Sequence, residues 1–452
     1  MKMIVAGAGL VGCAMAIALK QEGHEVELIE KRSDPRLQDL SSGRSINLIV
    51  TAKAINLFQQ LGIWDDVKKI TVPVYGRMMH SVEGELTYQA YGRDDSEYNN
   101  SISRGMMNNL LLDKVEEFDI PIHFEKEVSQ IDLKARKIIF EDGGISYDKL
   151  FGCDGAGSPV RAALISELGK SASYQVEPLG VDYKEFLMPA DRSGNYAIDE
   201  RSLHIWPRGK HFLMALPNLE GSFTMTLYMP TEWFKEYDTE EKIEAYFKEF
   251  YPDVLEFLPN FTKEYFKNPE GFLGTVRMNP WIYEDSVALL GDAAHAIVPF
   301  FGQGMNCGMS DIQFIRERMK AHGEDWSQIL KEYQSHQKPN GDAIADLSLE
   351  NFEEMSAKVG DERFLFKKRV EKVLENKFPD TYRSRYGMTV YTLIPYHQAL
   401  AAGEIQQELL DELIRDIDDI EQLDLNKAKS LIDGMLLPWL KKRELDLTKH
   451  PF

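Results

Sequence analysis

The sequence has few cysteines, and their spacing excludes two kinds of covalent scaffold. Cys13, Cys153 and Cys307 are the only cysteines in 452 residues. They are far apart and form no CxxC pair, so neither a disulfide framework nor a sequence-local zinc site is expected. No metal ligands are predicted elsewhere. The three thiols indicate small buried side chains in a reduced, cytoplasmic setting.

Long apolar runs and an excess of basic charge are also missing. No stretch approaches the roughly 20 apolar residues that cross a bilayer, and the chain opens with MKMIVAGAG rather than a signal peptide. Lys and Arg number 52 against 73 Asp and Glu, a net charge of -21, which argues against a nucleic-acid surface. An acidic surface still permits an anionic cofactor, because local donors can hold phosphates.

The N-terminal segment has the pattern of a βαβ unit. Lys2–Ala6 predicts a buried strand, Leu10–Gln21 a helix and Glu25–Glu30 a second strand. The connecting turn is GAGLVG, with glycines at positions 7, 9 and 12. In such a turn the first glycine allows the tight bend, the second lets a pyrophosphate approach, and the third lets helix and strand pack closely.

Strand, glycines, helix, strand and acid occur here in the order of a dinucleotide site. Glu30 closes the second strand, where an acidic residue accepts hydrogen bonds from a ribose. A glycine-rich turn without a ligand is the alternative interpretation. Glu30 favours FAD or NAD over NADP at this turn.

Two further turns favour FAD. Gly291-Asp292 follows the strand-like SVALL, and Asp292 is suited to a ribityl hydroxyl. The following Gly304, Met305 and Asn306 begin a helix whose N–H groups could face the anionic side of a flavin ring. Taken alone, this pattern also fits a structural strand–turn–helix. Asp154-Gly155, after another strand, completes the order GxGxxG, DG, GD.

This order of motifs resembles the group A flavoprotein aromatic hydroxylases, and most closely the kynurenine 3-monooxygenase family. The likeness covers essentially the whole chain and includes Gly43–Leu48, Leu179–Lys184, His204–Arg208, Ala215–Asn218 and Pro299–Asn306. The chain departs from the family after GMN, where the family commonly has AGFED and this chain has CGMSD. The glycine and the aspartate keep their places.

The resemblance implies an α/β fold with a Rossmann-like FAD-binding domain interleaved with an antiparallel-sheet substrate domain, plus a C-terminal helical region. Aromatic and β-branched residues with turn signals between Tyr174 and Arg277, and helical periods after Ser310, agree with it. The predicted FAD-binding domain comprises 1–71, 102–172 and 286–330, the substrate domain 73–101 and 173–285, and the helical region 331–452.

The family's functional residues carry over to matching positions of this sequence. The predicted cofactor contacts are Gly7, Gly9, Leu10, Val11, Gly12, Glu30, Lys31, Arg32, Arg104, Val128, Asp154, Gly155, Asp292, Gly304, Met305 and Asn306. The predicted substrate contacts are Arg77 and Tyr91 for a carboxylate, then Asn351, Glu354, Met355 and Tyr386, with Phe300 and Phe223 as apolar lining. Without the resemblance, each predicted substrate residue would be interpreted as an ordinary ion-pair or core residue.

The implied activity is hydroxylation of L-kynurenine to 3-hydroxy-L-kynurenine in tryptophan degradation. NADPH and O2 are the implied co-substrates, and a flavin C4a-hydroperoxide is the implied oxygen donor, so no catalytic acid–base pair is predicted. No second GxGxxG follows a strand, which implies transient NADPH binding. Unlike eukaryotic relatives, this chain is expected to have no membrane anchor.

Two other functions stay open at the level of sequence. One is a related FAD monooxygenase acting on a phenol or another aromatic acid. The other is a flavin-bound regulatory module without turnover, whose FAD would resist reduction by NADPH.

Overall fold

The chain folds as two units, each assembled from three separate segments. The computed structural model describes residues 1–37, 47–356 and 362–448, so residues 43–46 of the family-like segment Gly43–Leu48 lie outside the described residues. Unit 1 comprises Met1–Thr71, Ile102–Gly180 and Phe272–Ala345. Unit 2 comprises Val72–Ser101, Val181–Gly271 and Asp346–Phe452. The domain boundaries given above stay predictions.

The strands and helices of the described residues are named here in chain order. The strands are β1 (Lys2–Ala6), β2 (Glu25–Ile29), β3 (Leu48–Val50), β4 (Val72–Val74), β5 (Gly76–His80), β6 (Leu86–Ala90), β7 (Asn99–Ile102), β8 (Ile122–His123), β9 (Gln130–Asp132), β10 (Lys137–Phe140), β11 (Gly143–Ser146), β12 (Lys149–Gly152), β13 (Ser173–Pro178), β14 (Val181–Met188), β15 (Ser202–Arg208), β16 (His211–Pro217), β17 (Phe223–Pro230), β18 (Gly274–Asn279), β19 (Ile282–Tyr283) and β20 (Val287–Leu289). The helices are α1 (Leu10–Gln21), α2 (Ala52–Leu61), α3 (Trp64–Lys68), α4 (Arg104–Glu117), α5 (Pro159–Leu168), α6 (Trp233–Glu236), α7 (Glu240–Phe250), α8 (Phe261–Lys267), α9 (Asp292–His295), α10 (Gly304–His322), α11 (Trp326–Ser356), α12 (Glu362–Lys377), α13 (Arg385–Tyr391), α14 (Tyr396–Ile414), α15 (Leu425–Leu431) and α16 (Leu437–Lys442).

Unit 1 is built around a largely parallel sheet with the strand order β19-β20-β12-β1-β2-β8. β1 pairs in parallel with both β12 and β2, so the predicted βαβ unit is confirmed. Helix α1 occupies Leu10–Gln21 as predicted, and it packs against α4 and α10. It is buried along most of its length, which explains its alanine-rich, apolar sequence. The carboxyl ends of β20, β12 and β1 lie side by side at one edge of the sheet.

Unit 2 contains a six-stranded sheet with the order β14-β17-β16-β15-β5-β6. All neighbours pair antiparallel except β15 and β5, which run parallel. The sequence did not reveal the three helices between Trp233 and Lys267, because the aromatic residues there resemble a strand composition. Helix α7 begins after Thr239, whose hydroxyl accepts from Lys242 N–H, and it buries Ile243 and Phe247 on one face.

The C-terminal helices of unit 2 form an apolar cluster of their own. Side chains from α12, α13, α14 and α16, among them Leu374, Met388, Leu410 and Leu440, are buried together. The predicted helical C-terminal region is therefore confirmed. In the part of the chain that the structure describes, every helix is too short or too polar to cross a membrane.

A buried ion pair ties these helices to the segment before β7. Arg383 is fully buried, and one of its terminal nitrogens lies 2.8 Å from Oε1 of Glu97. Arg93 donates to the same carboxylate through Nε at 3.0 Å. Burial opposes the charged form of Glu97, but the two arginines outweigh it and hold its pKa below the usual value. Both partners belong to unit 2.

We expect Glu97→Gln to lower the free energy of unfolding by about 3 kcal/mol, because it leaves the buried Arg383 uncompensated. Because the folded pKa of Glu97 is depressed, its contribution is present above the ordinary carboxylate pKa and is lost as the pH falls through the folded value. Urea unfolding at pH 7 and below pH 4 measures both effects.

The exposed pair between Lys248 and Glu244, at 3.3 Å, supplies the matched control. We expect Glu244→Gln to change stability by less than about 0.5 kcal/mol. Equal effects of the two substitutions at neutral pH would contradict a structural role for the buried pair.

Candidate functional site

The turn between β1 and α1 approaches its own backbone more closely than any side chain would allow. A Cβ on Gly12 would lie 1.8 Å from the carbonyl oxygen of Gly7, whose φ is +98°. In contrast, a Cβ on Gly9 would meet no described atom within 4 Å. Gly9 is the N-cap of α1, which begins at Leu10, and no side chain of the described residues caps that turn. The helix therefore presents N–H groups beside open space, as a pyrophosphate requires.

The turn after β12 lies directly against this glycine turn. A Cβ on Gly7 would stand 2.5 Å from the carbonyl oxygen of Cys153 and 2.8 Å from Cα of Asp154. Because β12 and β1 are neighbours in a parallel sheet, their carboxyl ends meet at this point. The predicted GxGxxG and DG segments are thus brought together.

The turn after β20 joins the same group through the side chain of Val11. A Cβ on Gly291 would lie 3.0 Å from a methyl of Val11, and one on Gly308 would lie 2.6 Å from it. Gly308 belongs to α10, in the segment that departs from the family sequence. Its place explains why the glycine is kept there: α10 packs closely on α1 and on the Gly291 turn.

Glu30 is a charged acceptor just past the end of β2. Its side chain is buried, and Oε2 accepts from the N–H of Ala8 at 3.0 Å. Oε1 accepts from the backbone N–H and the Nε of Arg32, at 3.0 and 2.9 Å. Burial raises the pKa of Glu30, but these donors outweigh it and keep the pKa below its usual value. The carboxylate stays ionised beside the glycine turn, as a ribose-binding acid must.

Three other predicted cofactor residues are Lys31, Val128 and Arg104. Lys31 is exposed after β2. Val128 is half-buried in a loop whose Lys126 N–H donates to the carbonyl of Glu30 at 2.9 Å. Arg104 is exposed at the first residue of α4. Exposure leaves both cationic side chains able to reach an anionic ligand.

Asp154 carries a buried oxygen that fits a ligand donor. Its Oδ2 accepts from the N–H of Val160 at 3.0 Å. Its Oδ1 is buried and has no hydrogen-bond partner among the described residues. Burial raises the pKa of Asp154. A buried acceptor without a partner is costly, so a hydroxyl or N–H of a bound nucleotide would satisfy it. Gly155 follows with a φ of +80°.

Two helices, α9 and α10, begin after β20. Asp292 is exposed at the first position of α9. Gly304 and Met305 begin α10, and within the described ranges no side chain caps that helix. These features suit a ribityl hydroxyl and the anionic side of a flavin ring.

The Asn306 side chain is fully engaged with neighbouring backbone. Its Oδ1 accepts from the N–H of Thr51 at 2.9 Å, and its Nδ2 donates to the carbonyls of Ile49 and Gly302 at 2.7 and 3.0 Å. The amide thus fixes the start of α2 against the start of α10. Any contact of Asn306 with the cofactor would involve its backbone N–H.

A buried pair beneath the Gly291 turn holds that turn in place. Asp311 Oδ2 accepts from the N–H of Gly291 at 3.0 Å and lies 2.7 Å from Nε2 of His295. Cys307, His295 and Asp311 are all buried, and one side-chain sulfur, nitrogen or oxygen atom of each lies within 4.8 Å of those of the other two. Burial opposes the imidazolium, but Cys307 and Asp311 outweigh it and raise the pKa of His295 well above its usual value. Sequence reasoning missed this clamp, although the retained aspartate was its signal.

Unit 2 brings three predicted substrate residues together. Arg77 Nε lies 3.4 Å from the hydroxyl of Tyr91. The rings of Tyr91 and Tyr386 are stacked, with centroids 5.4 Å apart and planes 11° from parallel. The guanidinium carbon of Arg77 lies 5.3 Å from one ring centroid and 5.8 Å from the other. A guanidinium beside two phenol hydroxyls can bind a carboxylate.

Two phenol hydroxyls and one carboxylate near Arg77 favour its protonated form. Burial opposes the charge, but Tyr91, Tyr386 and Glu354 outweigh it and raise the pKa of Arg77. Burial also raises the pKa of both tyrosines, so they are neutral hydroxyls at neutral pH. Glu354 lies 3.6 Å from the Nζ of Lys368, which offsets part of its charge.

The remaining predicted substrate residues are placed less closely. Asn351 and Met355 are buried neighbours on α11, with Nδ2 and Sδ 3.5 Å apart. Phe223 packs edge-on against His204 in the core of unit 2. Phe300 is buried in unit 1, in a short turn before α10. Their roles as pocket lining stay predictions.

We expect Gly9→Ala to lower the stability of the apoprotein by no more than about 1 kcal/mol, because the new methyl meets open space and the cost is limited to a poorer N-cap. The same methyl would occupy the approach to the pyrophosphate, so FAD affinity should fall by about tenfold or more. Quenching of FAD fluorescence on titration measures affinity. Gly12→Ala, which adds a Cβ against Gly7, should lose both stability and binding. Unchanged affinity in Gly9→Ala would contradict the assignment of the turn.

We expect Asp311→Asn to destabilise the apoprotein by about 3 kcal/mol, because a buried imidazolium loses its partner. A raised pKa in the folded state means that the His295 contribution is complete below the ordinary histidine pKa and declines as the pH rises toward the folded value. The difference from the parent should therefore be largest below pH 6. His322→Gln, which breaks a partly exposed pair between His322 of α10 and Glu332 of α11, is the control. A difference that grows with pH would refute the clamp.

Comparisons with known proteins identify the family of this chain. A family model described as an FAD binding domain matches residues 1–348. Kynurenine 3-monooxygenase of Myxococcus xanthus is 40% identical over 448 residues, covering 97% of this chain and 96% of that protein. The Flavobacterium psychrophilum and Dictyostelium discoideum proteins of the same name are each 39% identical, covering 98% and 96% of this chain and 99% and 97% of their own lengths.

Solved structures show the same fold at lower identity. The tetrameric form of 2-methyl-3-hydroxypyridine-5-carboxylic acid oxygenase superposes with a TM-score of 0.68 at 20% identity, covering 84% of this chain and 98% of that chain. HpxO of Klebsiella pneumoniae, complexed with FAD, gives a TM-score of 0.64 at 19% identity, covering 82% and 94%. The cofactor turns therefore belong to an FAD-binding fold. The identity and coverage of the relatives establish that this chain belongs to the kynurenine 3-monooxygenase family of flavoprotein monooxygenases.

Proposed function

We propose that this enzyme hydroxylates L-kynurenine to 3-hydroxy-L-kynurenine, with FAD as bound cofactor and NADPH and O2 as co-substrates. The observation that carries the proposal is the half-buried Arg77 beside the stacked pair of Tyr91 and Tyr386. The names of relatives that match nearly the whole chain support the same substrate. Kynurenine offers this cluster an α-carboxylate.

The cluster would bind the carboxylate in two ways. The guanidinium of Arg77 offers a planar fork of donors, which matches the two oxygens of a carboxylate. The two neutral phenols offer hydroxyl donors without adding a competing charge. Glu354, the acidic group that acts on Arg77, is the candidate partner for the α-ammonium of the same amino acid.

Residues of unit 1 would hold the flavin. The N-terminus of α1 would bind the pyrophosphate, Glu30 the adenosine ribose, and Asp292 the ribityl chain. Once bound, FAD reduced by NADPH supplies an activated oxygen from O2 to the ring carbon beside the aromatic amine. The protein is required to position the ring and exclude water, so no side chain is assigned as acid or base.

A related monooxygenase acting on a phenol or another aromatic acid is the alternative of the same class. A neutral phenol would make little use of the Arg77 guanidinium, whereas a carboxylate matches its charge and its fork of donors, so the cluster favours an anionic substrate. A flavin-bound module without turnover is disfavoured by the same cluster of Arg77, Tyr91 and Tyr386, because a regulatory protein would not need to bind a substrate.

We expect L-kynurenine to stimulate NADPH oxidation by the FAD-loaded protein and to gain one oxygen atom in the product mass. Arg77→Ala should raise KM for kynurenine by about 100-fold, because hydrogen bonds to a charged group are worth roughly 2–3 kcal/mol. Arg77→Lys keeps the charge but loses the fork, so an intermediate KM is expected.

Arg201→Ala supplies the control, because this arginine of the same unit is largely exposed. Its KM should match that of the parent. If kynurenine neither stimulates NADPH oxidation nor gains oxygen while a phenol does both, the substrate assignment is wrong. If NADPH fails to reduce the flavin with any aromatic acid present, the enzyme assignment falls as well.

A further inference from the structure

Asn99 is a buried amide that connects strand β7 to the aromatic cluster of Arg77, Tyr91 and Tyr386. It lies at the start of β7, opposite Val74 of β4, and its side chain is almost fully buried. Its Nδ2 donates to the hydroxyl oxygen of Tyr386 at 2.9 Å. Its Oδ1 accepts from the hydroxyl of Tyr391 at 3.3 Å. The amide thereby bridges two tyrosines of α13 that lie almost 300 positions away in sequence.

We propose that Asn99 is a positioning residue for the substrate carboxylate, acting through Tyr386; this inference rests on the proposed function. The amide N–H can only donate, so the Tyr386 oxygen receives a hydrogen bond on the side facing Asn99. The hydroxyl of Tyr391 contacts the same Tyr386 hydroxyl. The Tyr386 hydrogen cannot be accepted by the amide N–H, and a carboxylate, which only accepts, is a complementary ligand for it.

The same bond fixes the ring of Tyr386 as one wall of the receptor. That ring stacks on Tyr91, and Arg77 lies within cation–π distance of both. A displaced Tyr386 ring would alter both the hydroxyl position and the surroundings of the guanidinium. The amide of Asn99 therefore controls two of the three groups that would contact the carboxylate, without itself being assigned a contact.

The choice of an amide over a carboxylate has an electrostatic reason. An aspartate at position 99 would have the same shape and would accept from both phenols. It would also turn the Tyr386 hydrogen inward and add a negative charge close to a site for an anion. Asparagine satisfies Tyr391 as an acceptor and Tyr386 as a donor, and it stays neutral at every pH.

The test is a double-mutant cycle on the oxidised, FAD-loaded protein without NADPH, with L-kynurenine binding measured by calorimetry. We expect Asn99→Leu and Tyr386→Phe each to raise Kd by about tenfold, the loss that one hydrogen bond to a charged ligand implies. Because both act on one hydroxyl, the double variant should bind within about twofold of Tyr386→Phe alone. The decarboxylated analogue of kynurenine should bind each single variant and the parent alike.

Asn99→Asp keeps the shape of the side chain and guards against a loss of folding. It should weaken kynurenine binding more than Asn99→Leu at neutral pH and recover as the new carboxyl is protonated at low pH. Asn100→Asp, on the opposite face of the same buried strand, is the matched control and should leave Kd unchanged.

Four outcomes overturn the inference. They are parent-like kynurenine binding by Asn99→Leu, fully additive losses in the cycle, equal losses for the decarboxylated analogue, and an equal loss in Asn100→Asp. Each leaves the proposed function intact if the parent still binds and hydroxylates kynurenine. A parent protein that does not bind kynurenine overturns both.

Discussion

In unit 1 the carbonyl oxygen of Gly7 occupies the place where a side chain on residue 12 would begin. This contact lets α1 start immediately beyond β1 and brings the N-terminus of the helix to the edge of the parallel sheet. The same absence of side-chain atoms recurs at Gly291 and Gly308, which close around Val11. Because the three turns are packed on one another, the space beside Gly9 is defined by backbone rather than by mobile side chains. An anionic cofactor bound there would be held by fixed N–H donors.

Unit 2 meets a different constraint, because it holds a half-buried cation beside two aromatic rings. Burial disfavours a charged Arg77, and the structure compensates with two phenol rings and the nearby Glu354. The net charge of -21 has no bearing on this local arrangement. A half-buried guanidinium beside two phenol hydroxyls can bind a carboxylate, which is the ligand proposed for this cluster. Asn99 holds one of these phenols in place by donating to the hydroxyl of Tyr386.

Local signals carried the sequence analysis where it succeeded. The bounds of β1 and α1 follow from apolar periodicity and from the glycine spacing, and both depend on residues close together in the chain. The resemblance to a known family supplied Arg77, Tyr91 and Tyr386, which the structure brings together. No local pattern could have joined Tyr91 to Tyr386, because they are separated by most of the chain.

The missed features share a dependence on distant partners. In the sequence, Asp311 was recognised only as an aspartate that this chain shares with the family. In the structure it accepts from the N–H of Gly291 and contacts His295, which are distant in the chain. Asn99 stood in a strand that is buried throughout, where a polar residue is itself a signal of a partner. The helices between Trp233 and Lys267 were hidden because aromatic residues serve helix faces and strands alike.

The central physical claim is that the glycine turn after β1 and the Gly-Asp turn after β20 hold opposite ends of one flavin nucleotide. Calorimetric titration of the apoprotein with FAD tests it most directly. The account predicts one FAD per chain, competition by ADP for the glycine-turn end, and weaker FAD binding in Asp292→Ala without loss of ADP affinity. A protein that takes up no FAD, or in which Asp292→Ala binds FAD as the parent does, would contradict it.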